Sequence, residues 1–254
     1  MAKSALAHDP DVIDVRPAFT AEDVAALNAR FTGVPAQAML RELLTGELAG
    51  RTALVSSFGA ESAVLLHLVT RADPSVPTIF VDTLKMFPET VAYRAQLVEA
   101  FGLRNSWVVE PDAAVLTARD DKGLRWSYDP DGCCDIRKVE PLKRAKAGLD
   151  SWISGRKAFQ SVTRQNIPRF EVEDGRLKVN PLGDWVKGDL EAYFQEHDLP
   201  RHPLEAEGYL SIGCQPCTSK VQPGEDPRAG RWRGWDKVEC GIHVAEKPGE
   251  EPVF

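Results

Sequence analysis

With 254 residues and a net charge of −7, the chain is long enough to bury a core as one large domain or two small ones without disulfide staples. The acidic balance excludes a broad nucleic-acid-binding face, because duplex affinity draws on many cationic contacts to phosphate, yet it leaves room for a small anion in a local basic pocket. The most apolar run, SAVLLHLV at Ser62–Val69, is far too short to span a bilayer, and the N-terminal stretch lacks a secretory apolar core, so a soluble protein of the reducing cytoplasm with no membrane partner is expected.

Taken in chain order, TAEDVAALNARF places Thr20 to cap a helix, with Asp23 completing a variant capping box. A second helix is expected over PAQAMLRELLTGEL, Pro35 to Leu48. An alternation comes next: TALVSSF, ESAVLLHLVTRA, PTIFVD, PETVAYRAQLVEAFG and NSWVVE. Short runs rich in Val, Ile and Phe between amphipathic segments imply βαβ units and a parallel sheet. Ligands of such sheets sit outside the carboxyl ends of the strands, which directs attention to the loops after Val55, Val81 and Val109. Beyond them, CCDIRKVEPLKRAKAG reads as a basic helix and DSWISG as a core strand. RFEVEDGRLKVNPL reads as a hairpin turning at Asp174–Gly175. KGDLEAYFQEHDL is expected to be a helix ending before Pro200, and from about Gly208 the chain is loop rich in Gly and Pro. No internal repeat or linker divides it.

Several stretches carry chemistry. SSFGAES comes after a strand and opens a helix, so Ser56, Ser57, Phe58 and Gly59 offer hydroxyls and free backbone N–H groups suited to phosphate or sulfate. It lacks the lysine of a Walker A loop, and the same composition also serves plain turn chemistry. In VDTLKMFPET, Asp82 and Thr83 stand at a strand end, where Asp82 either accepts from a ribose or an amine or simply caps, and Pro88 suits the first turn of a helix.

The chain has five cysteines, an odd set that cannot pair fully. Cys214 and Cys217 form a C-x-x-C, and with the adjacent Cys133 and Cys134 they supply four thiols, the number for structural zinc or an iron-sulfur cluster. An adjacent pair suits a cluster better than a single tetrahedral ion, since a cluster spreads its ligand positions over several irons. Unligated buried thiols and a C-x-x-C redox pair are the alternatives. Cys240 stands alone in VECGIH, three residues before His243, as a candidate nucleophile or a stray surface thiol. Arg228, Arg231 and Arg233 precede it, enough cations to hold an anion and favour a thiolate. Arg156, Lys157 and Arg164 come after the last parallel strand and point to the same crevice.

The motifs SSFGAES, VDTLKMFPET, CCDIRKVEPL, SGRKAFQSVTR, GCQPC, DPRAGRW and ECGIH, in that order, resemble the assimilatory sulfonucleotide reductases, specifically the bacterial adenylyl-sulfate (APS) reductases of the iron-sulfur type. The resemblance implies an α/β fold of the adenine-nucleotide α-hydrolase-like (PP-loop) kind, a mainly parallel twisted sheet flanked by helices, with a loop-rich C-terminal segment. It implies a helical region over 1–50, nucleotide and cluster binding over 51–217, and a segment 218–254 carrying the nucleophile within the same single domain. By that similarity Cys133, Cys134, Cys214 and Cys217 ligate a [4Fe-4S] cluster, Cys240 is the nucleophile, and Lys138 lies between cluster and substrate. Arg164, Arg228, Arg231 and His243 correspond to groups around the phosphosulfate, SSFGAES to a modified pyrophosphate-binding loop, and VDTLKMFPET, with Asp82 and Thr83, to a nucleotide-binding stretch. Leu84 departs from the pattern, which there reads Asp-Thr-Gly.

The implied reaction reduces APS to sulfite and AMP through a Cys240 S-sulfonate. With four cysteines held as ligands, the chain has no resolving thiol and needs an external dithiol, thioredoxin or in its place glutaredoxin. Other readings stay open: a reductase of 3′-phosphorylated APS (PAPS) or of both nucleotides, a PP-loop ATP pyrophosphatase, and a non-enzymatic cluster or zinc protein. Homo-oligomerisation is left open.

Overall fold

The structure is a computed structural model that describes residues 18–46, 48–160 and 164–242. One six-stranded sheet contains β1 (Thr52–Val55), β2 (Thr78–Val81), β3 (Ser106–Val109), β4 (Ser151–Ser154), β5 (Phe170–Glu173) and β6 (Arg176–Val179). The order is β3-β2-β1-β4-β6-β5, parallel throughout except for the β5–β6 hairpin. The hairpin turns where the sequence implies, with Asp174 at φ +51° and Gly175 at φ +70°, the positive pair a type I′ turn requires. From β1 the chain steps outward to β3, then returns to lay β4 against the other side of β1. Strand order therefore reverses between β1 and β4, and a crevice opens beyond their carboxyl ends.

Eight α-helices are described: α1 (Ala21–Arg30), α2 (Ala36–Thr45), α3 (Ser62–Ala72), α4 (Pro88–Ala100), α5 (Ala113–Arg119), α6 (Pro130–Cys134), α7 (Glu140–Lys146) and α8 (Lys187–Glu196). Side chains alternate across the sheet, so β1 and β2 each feed two cores. Leu54 and Phe80 join the larger one, with Leu40 of α2, Leu66 of α3 and Phe194 of α8. Ala53 and Ile79 turn to the opposite face, where Leu142 of α7 covers them. Thr20 caps α1 as expected: Asp23 N–H donates to its Oγ1 at 3.2 Å, and Thr20 N–H donates to the Asp23 carboxylate at 2.8 Å. α2 stops at Thr45 rather than Leu48, because Gly46 takes an extended backbone. α5 is not evident from the sequence pattern; Asp112 caps it, accepting from the N–H groups of Ala114 and Val115.

The expected basic helix is present in three parts. α6 runs into a π-helical turn over Asp135–Val139, and α7 continues from it. Pro141 explains the distortion: it has no N–H for the Arg137 carbonyl and its ring crowds that oxygen, so regular α-helix cannot continue there. A π turn rotates the helix on its far side, and such turns often mark functional positions. No helix among the described residues is long and apolar enough to cross a membrane.

Leu84 takes the left-handed backbone that favours glycine, at φ +58°, with its N–H donating to Asp82 Oδ1 at 2.9 Å. A left-handed conformation strains an L-residue with a Cβ, and a side chain that is 50% exposed recovers little by burial. Leu84→Gly is expected to raise the unfolding free energy by roughly 0.5–1 kcal/mol, the relief of strain less glycine's extra chain entropy. Urea denaturation reads this directly, and a midpoint that stays or falls would mean that the leucine's contacts outweigh its strain.

Candidate active site

A cavity of about 290 Å³ lies at the carboxyl ends of β1 and β4. Its walls come from the Ser56–Ser62 loop, the loop after β4, the stretch 210–213 and the C-terminal segment. Ser56, Ser57 and Gly59 line it as expected. Phe58 does not: at φ +49° its ring turns into the core, 0% exposed and edge-on to Phe80 at 5.4 Å. The Phe58 N–H donates to Ser56 Oγ at 3.2 Å, so the loop is held partly by its own hydroxyl. A Cβ on Gly59 would lie 3.4 Å from the Ile212 carbonyl oxygen, an ordinary van der Waals contact, so the loop runs close beneath that segment.

Other expected contacts fall elsewhere. Asp82 and Thr83 are absent from the lining, to which the β2 end contributes Val81 and Met86 instead. The loop after β3 contributes nothing, because β3 is two strands from β1, about 10 Å at ordinary strand spacing. Thr83 has another task, since its fully buried hydroxyl lies 3.2 Å from Cys214 Sγ.

The basic residues do converge. Lys138, Arg156, Lys157, Arg164, Arg228 and Arg231 all line the cavity, and so does Cys240. Several are already paired. Arg164 donates from Nε and from Nη2 to the two oxygens of Glu239, each at 2.7 Å. Arg228 donates to the Val238 carbonyl at 2.8 Å and lies 3.4 Å from Glu239 Oε2. Arg156 pairs with Glu171 at 2.8 Å and Lys157 with Glu61 at 2.9 Å. Arg231 lies over the Trp232 ring at 4.3 Å, and its buried Nε has no hydrogen-bond partner among the described residues. Arg233 instead pairs with Glu225 at 2.9 Å on the surface. His243 lies outside the described residues.

The four remaining thiols meet beside this cavity. Cys133, Cys134, Cys214 and Cys217 line one small pocket with Lys85, Trp126, Arg137 and Lys138. Lys138 and Trp232 stand in the walls of both spaces. The C-x-x-C stretch is pinned to the stretch after β2 by the Gln215 N–H, which donates to the Lys85 carbonyl at 2.8 Å. Burial pushes the Cys133 thiol up to about 12 and Cys134 up to about 11, and it raises Cys217 as well. Burial opposes the Cys214 thiolate too, but Lys138, the Thr83 hydroxyl and Arg231 outweigh it and leave that thiol below its ordinary value. For Lys138 burial acts to lower the ammonium pKa, while its interactions with Cys214, Cys240 and Cys134 raise it further than burial lowers it. Among the described residues no three His, Cys, Asp or Glu side chains are arranged around a single metal ion.

Residues 51–220 match the sequence model described as the phosphoadenosine phosphosulfate reductase domain. The chain belongs to that reductase family. Its members are oxidoreductases acting on a sulfur group. It is 50% identical to the adenosine 5′-phosphosulfate reductase of Mesorhizobium japonicum, over 81% of this chain and 79% of that one. It is 47% identical to the enzyme of the same name from Chelativorans sp., over 89% and 92% of the two chains. A crystal structure of phosphoadenylyl-sulfate reductase from Candida auris, a phosphate complex, superposes with a TM-score of 0.68 at 27% identity, covering 80% of this chain and 98% of that one. FMN adenylyltransferase from Candida glabrata shares the fold alone, at a TM-score of 0.51 and 14% identity.

In this reductase-family chain the thiol-bearing helix depends on a pair that sequence reasoning misses. Arg137 donates to Asp120 Oδ2 from Nε at 3.0 Å and from Nη2 at 2.6 Å, and from Nη1 to the Thr83 carbonyl at 2.9 Å. Both side chains are almost fully enclosed, at 5% and 1% exposure. Arg137 comes four residues after Cys133 and so shares its side of the helix, a spacing visible in CCDIRK, but nothing in the sequence identifies Asp120 as its partner. Burial raises the Asp120 carboxyl, and the Arg125 N–H and Arg137 overcome it, so the group stays below the usual carboxylate range. Its share of stability is present above the unfolded carboxyl pKa, near about 3.9, and is lost as pH falls through the lower folded value. Asp120→Ala is expected to cost about 3–5 kcal/mol in urea unfolding, because it strands a buried guanidinium. The double variant Asp120→Ala/Arg137→Met should recover most of that loss; equal losses in the single and double variants would refute the account.

Proposed function

We propose that the chain reduces APS to sulfite and AMP in cytoplasmic, assimilatory sulfate reduction, by way of an S-sulfonate on Cys240. The observation that carries this reading is the meeting of Cys240 with Lys138, Arg164, Arg228 and Arg231 in one cavity at the switch point of the sheet. The Cys240 thiolate attacks the sulfur of the sulfate–phosphate anhydride. A bond forms between Sγ and that sulfur, the bond from sulfur to the bridging oxygen breaks, and AMP leaves with the electron pair. Lys138 and the arginines offset charge on the departing phosphate, and His243 is assigned to the same group. The Ser56–Gly59 loop is assigned to the nucleotide through its hydroxyls and backbone N–H groups.

An external dithiol then attacks Cys240 Sγ, which expels sulfite and leaves a mixed disulfide. The partner's second thiol resolves it, so the partner ends as a disulfide while the sulfur has gained two electrons. Thioredoxin fits that part, with glutaredoxin as the alternative. A [4Fe-4S] cluster held by Cys133, Cys134, Cys214 and Cys217 fits the donor set: among the described residues no carboxylate or imidazole shares their pocket, and Arg137 and Lys138 stand beside the sulfurs to balance thiolate charge. Bound there, the cluster would supply concentrated negative charge that helps to orient the Lys138 ammonium. The names of the Mesorhizobium and Chelativorans relatives favour APS, and that of the Candida auris protein keeps PAPS as the second reading.

Anaerobically purified protein mixed with APS and no reductant should gain the mass of one sulfonate, located on Cys240 by peptide mapping. Cys240→Ser should gain none, and its turnover with thioredoxin should fall by several orders of magnitude. An unmodified wild-type chain would sink the covalent mechanism.

A further inference from the structure

Glu239, the residue before Cys240, has no role in the proposed reaction. Its carboxylate nonetheless makes the most complete ion pair in the cavity, two 2.7 Å hydrogen bonds from Arg164 with Arg228 beside it. All three side chains are largely enclosed, Arg164 at 8%, Glu239 at 11% and Arg228 at 16% exposure. Arg156 stands close enough to favour the same carboxylate, whose pKa is lowered against the effect of burial. Guanidinium groups so enclosed are costly to leave unpaired, so each requires an anion beside it. Glu239 supplies it.

A carboxylate bridging the Nε and Nη2 of one arginine offers two oxygens in the geometry that a sulfate or phosphate group also offers. Arg164 cannot give the same two N–H groups to both. We propose that Glu239 is an internal surrogate for the anionic group of the nucleotide, occupying Arg164 and Arg228 until the ligand displaces it. This rests on reading the cavity as a sulfonucleotide site. Displacement moves the immediate neighbour of the nucleophile, so occupation of the anion site is coupled to the placement of Cys240. Glu239 is a positioning residue that opposes binding and reports it to the next residue along the chain.

The test uses ADP, whose β-phosphate stands in for the sulfate and offers Cys240 no sulfur to attack. Calorimetric titration of anaerobically purified protein should show Glu239→Gln binding ADP at least about fivefold more tightly than wild type, the loss of one charge-assisted competitor. A residue that merely holds the fold together would give weaker binding or none of this gain. Glu225→Gln, which removes an exposed carboxylate paired with Arg233, should bind ADP as wild type does. If Glu239→Gln does not fold, Glu239→Asp, too short to bridge both arginines, carries the test and should give a smaller gain of the same sign. Unchanged or weaker affinity, or an equal gain in Glu225→Gln, overturns the proposal while leaving the sulfonucleotide reading intact. Failure of every form, wild type included, to bind ADP overturns that reading and this proposal together.

Discussion

An ammonium group enclosed by protein is tolerable only where groups able to carry negative charge stand beside it, and the sulfurs of Cys214, Cys240 and Cys134 do so for Lys138. Lys138 is half-buried and stands in the wall between the cavity and the thiol pocket. The constraint works in both directions. The thiols favour the charged lysine, and the lysine favours the Cys214 thiolate against the effect of burial. A change on either side of the wall is therefore felt on the other without any moving part.

Placing that lysine requires three distant stretches to be held together. The α6–π–α7 segment carries it, and the Arg137–Asp120 pair fixes that segment against the stretch after β2 by reaching the Thr83 carbonyl. The C-x-x-C stretch is fixed to the same place through Lys85 and Thr83. The C-terminal segment closes the arrangement: the Trp232 N–H donates to the Cys217 carbonyl at 3.0 Å, Lys237 pairs with Asp131, and Glu239 reaches Arg164. Much of this network is ionic or made by buried hydrogen bonds. Position here comes from paired charges, while the apolar cores hold the sheet that carries them.

Much of the fold is legible in the sequence. Short apolar runs and helical segments in alternation imply the parallel sheet, Asp174–Gly175 marks the hairpin, and Thr20 with Asp23 marks the start of α1. Legibility fails where a neighbour far along the chain decides an orientation. Phe58 sits in a loop whose composition suits anion binding, yet Phe80 and the core claim its ring. Thr83 reads in sequence as a nucleotide contact, and its hydroxyl faces a cysteine 131 residues later in the chain. Arg164 and Arg228 read as cations free for a ligand, whereas the structure shows Arg164 paired with Glu239 and Arg228 bonded to the Val238 carbonyl with Glu239 beside it.

By itself the sequence determined the chemical inventory: five thiols, a cationic set that exceeds what one local turn needs, and a strand–loop–helix suited to an anion. Those depend on residue type and local spacing, that is, on covalent chemistry and short-range periodicity. Only the tertiary structure decided which strand ends border the cavity, which cations are already paired and which helix face meets which thiol. Those outcomes depend on strand order and on ion pairs between residues far apart in the chain, 75 positions for Arg164 and Glu239. Burial removes the water that would otherwise satisfy each charge singly, so partners are settled by the enclosed geometry as a whole.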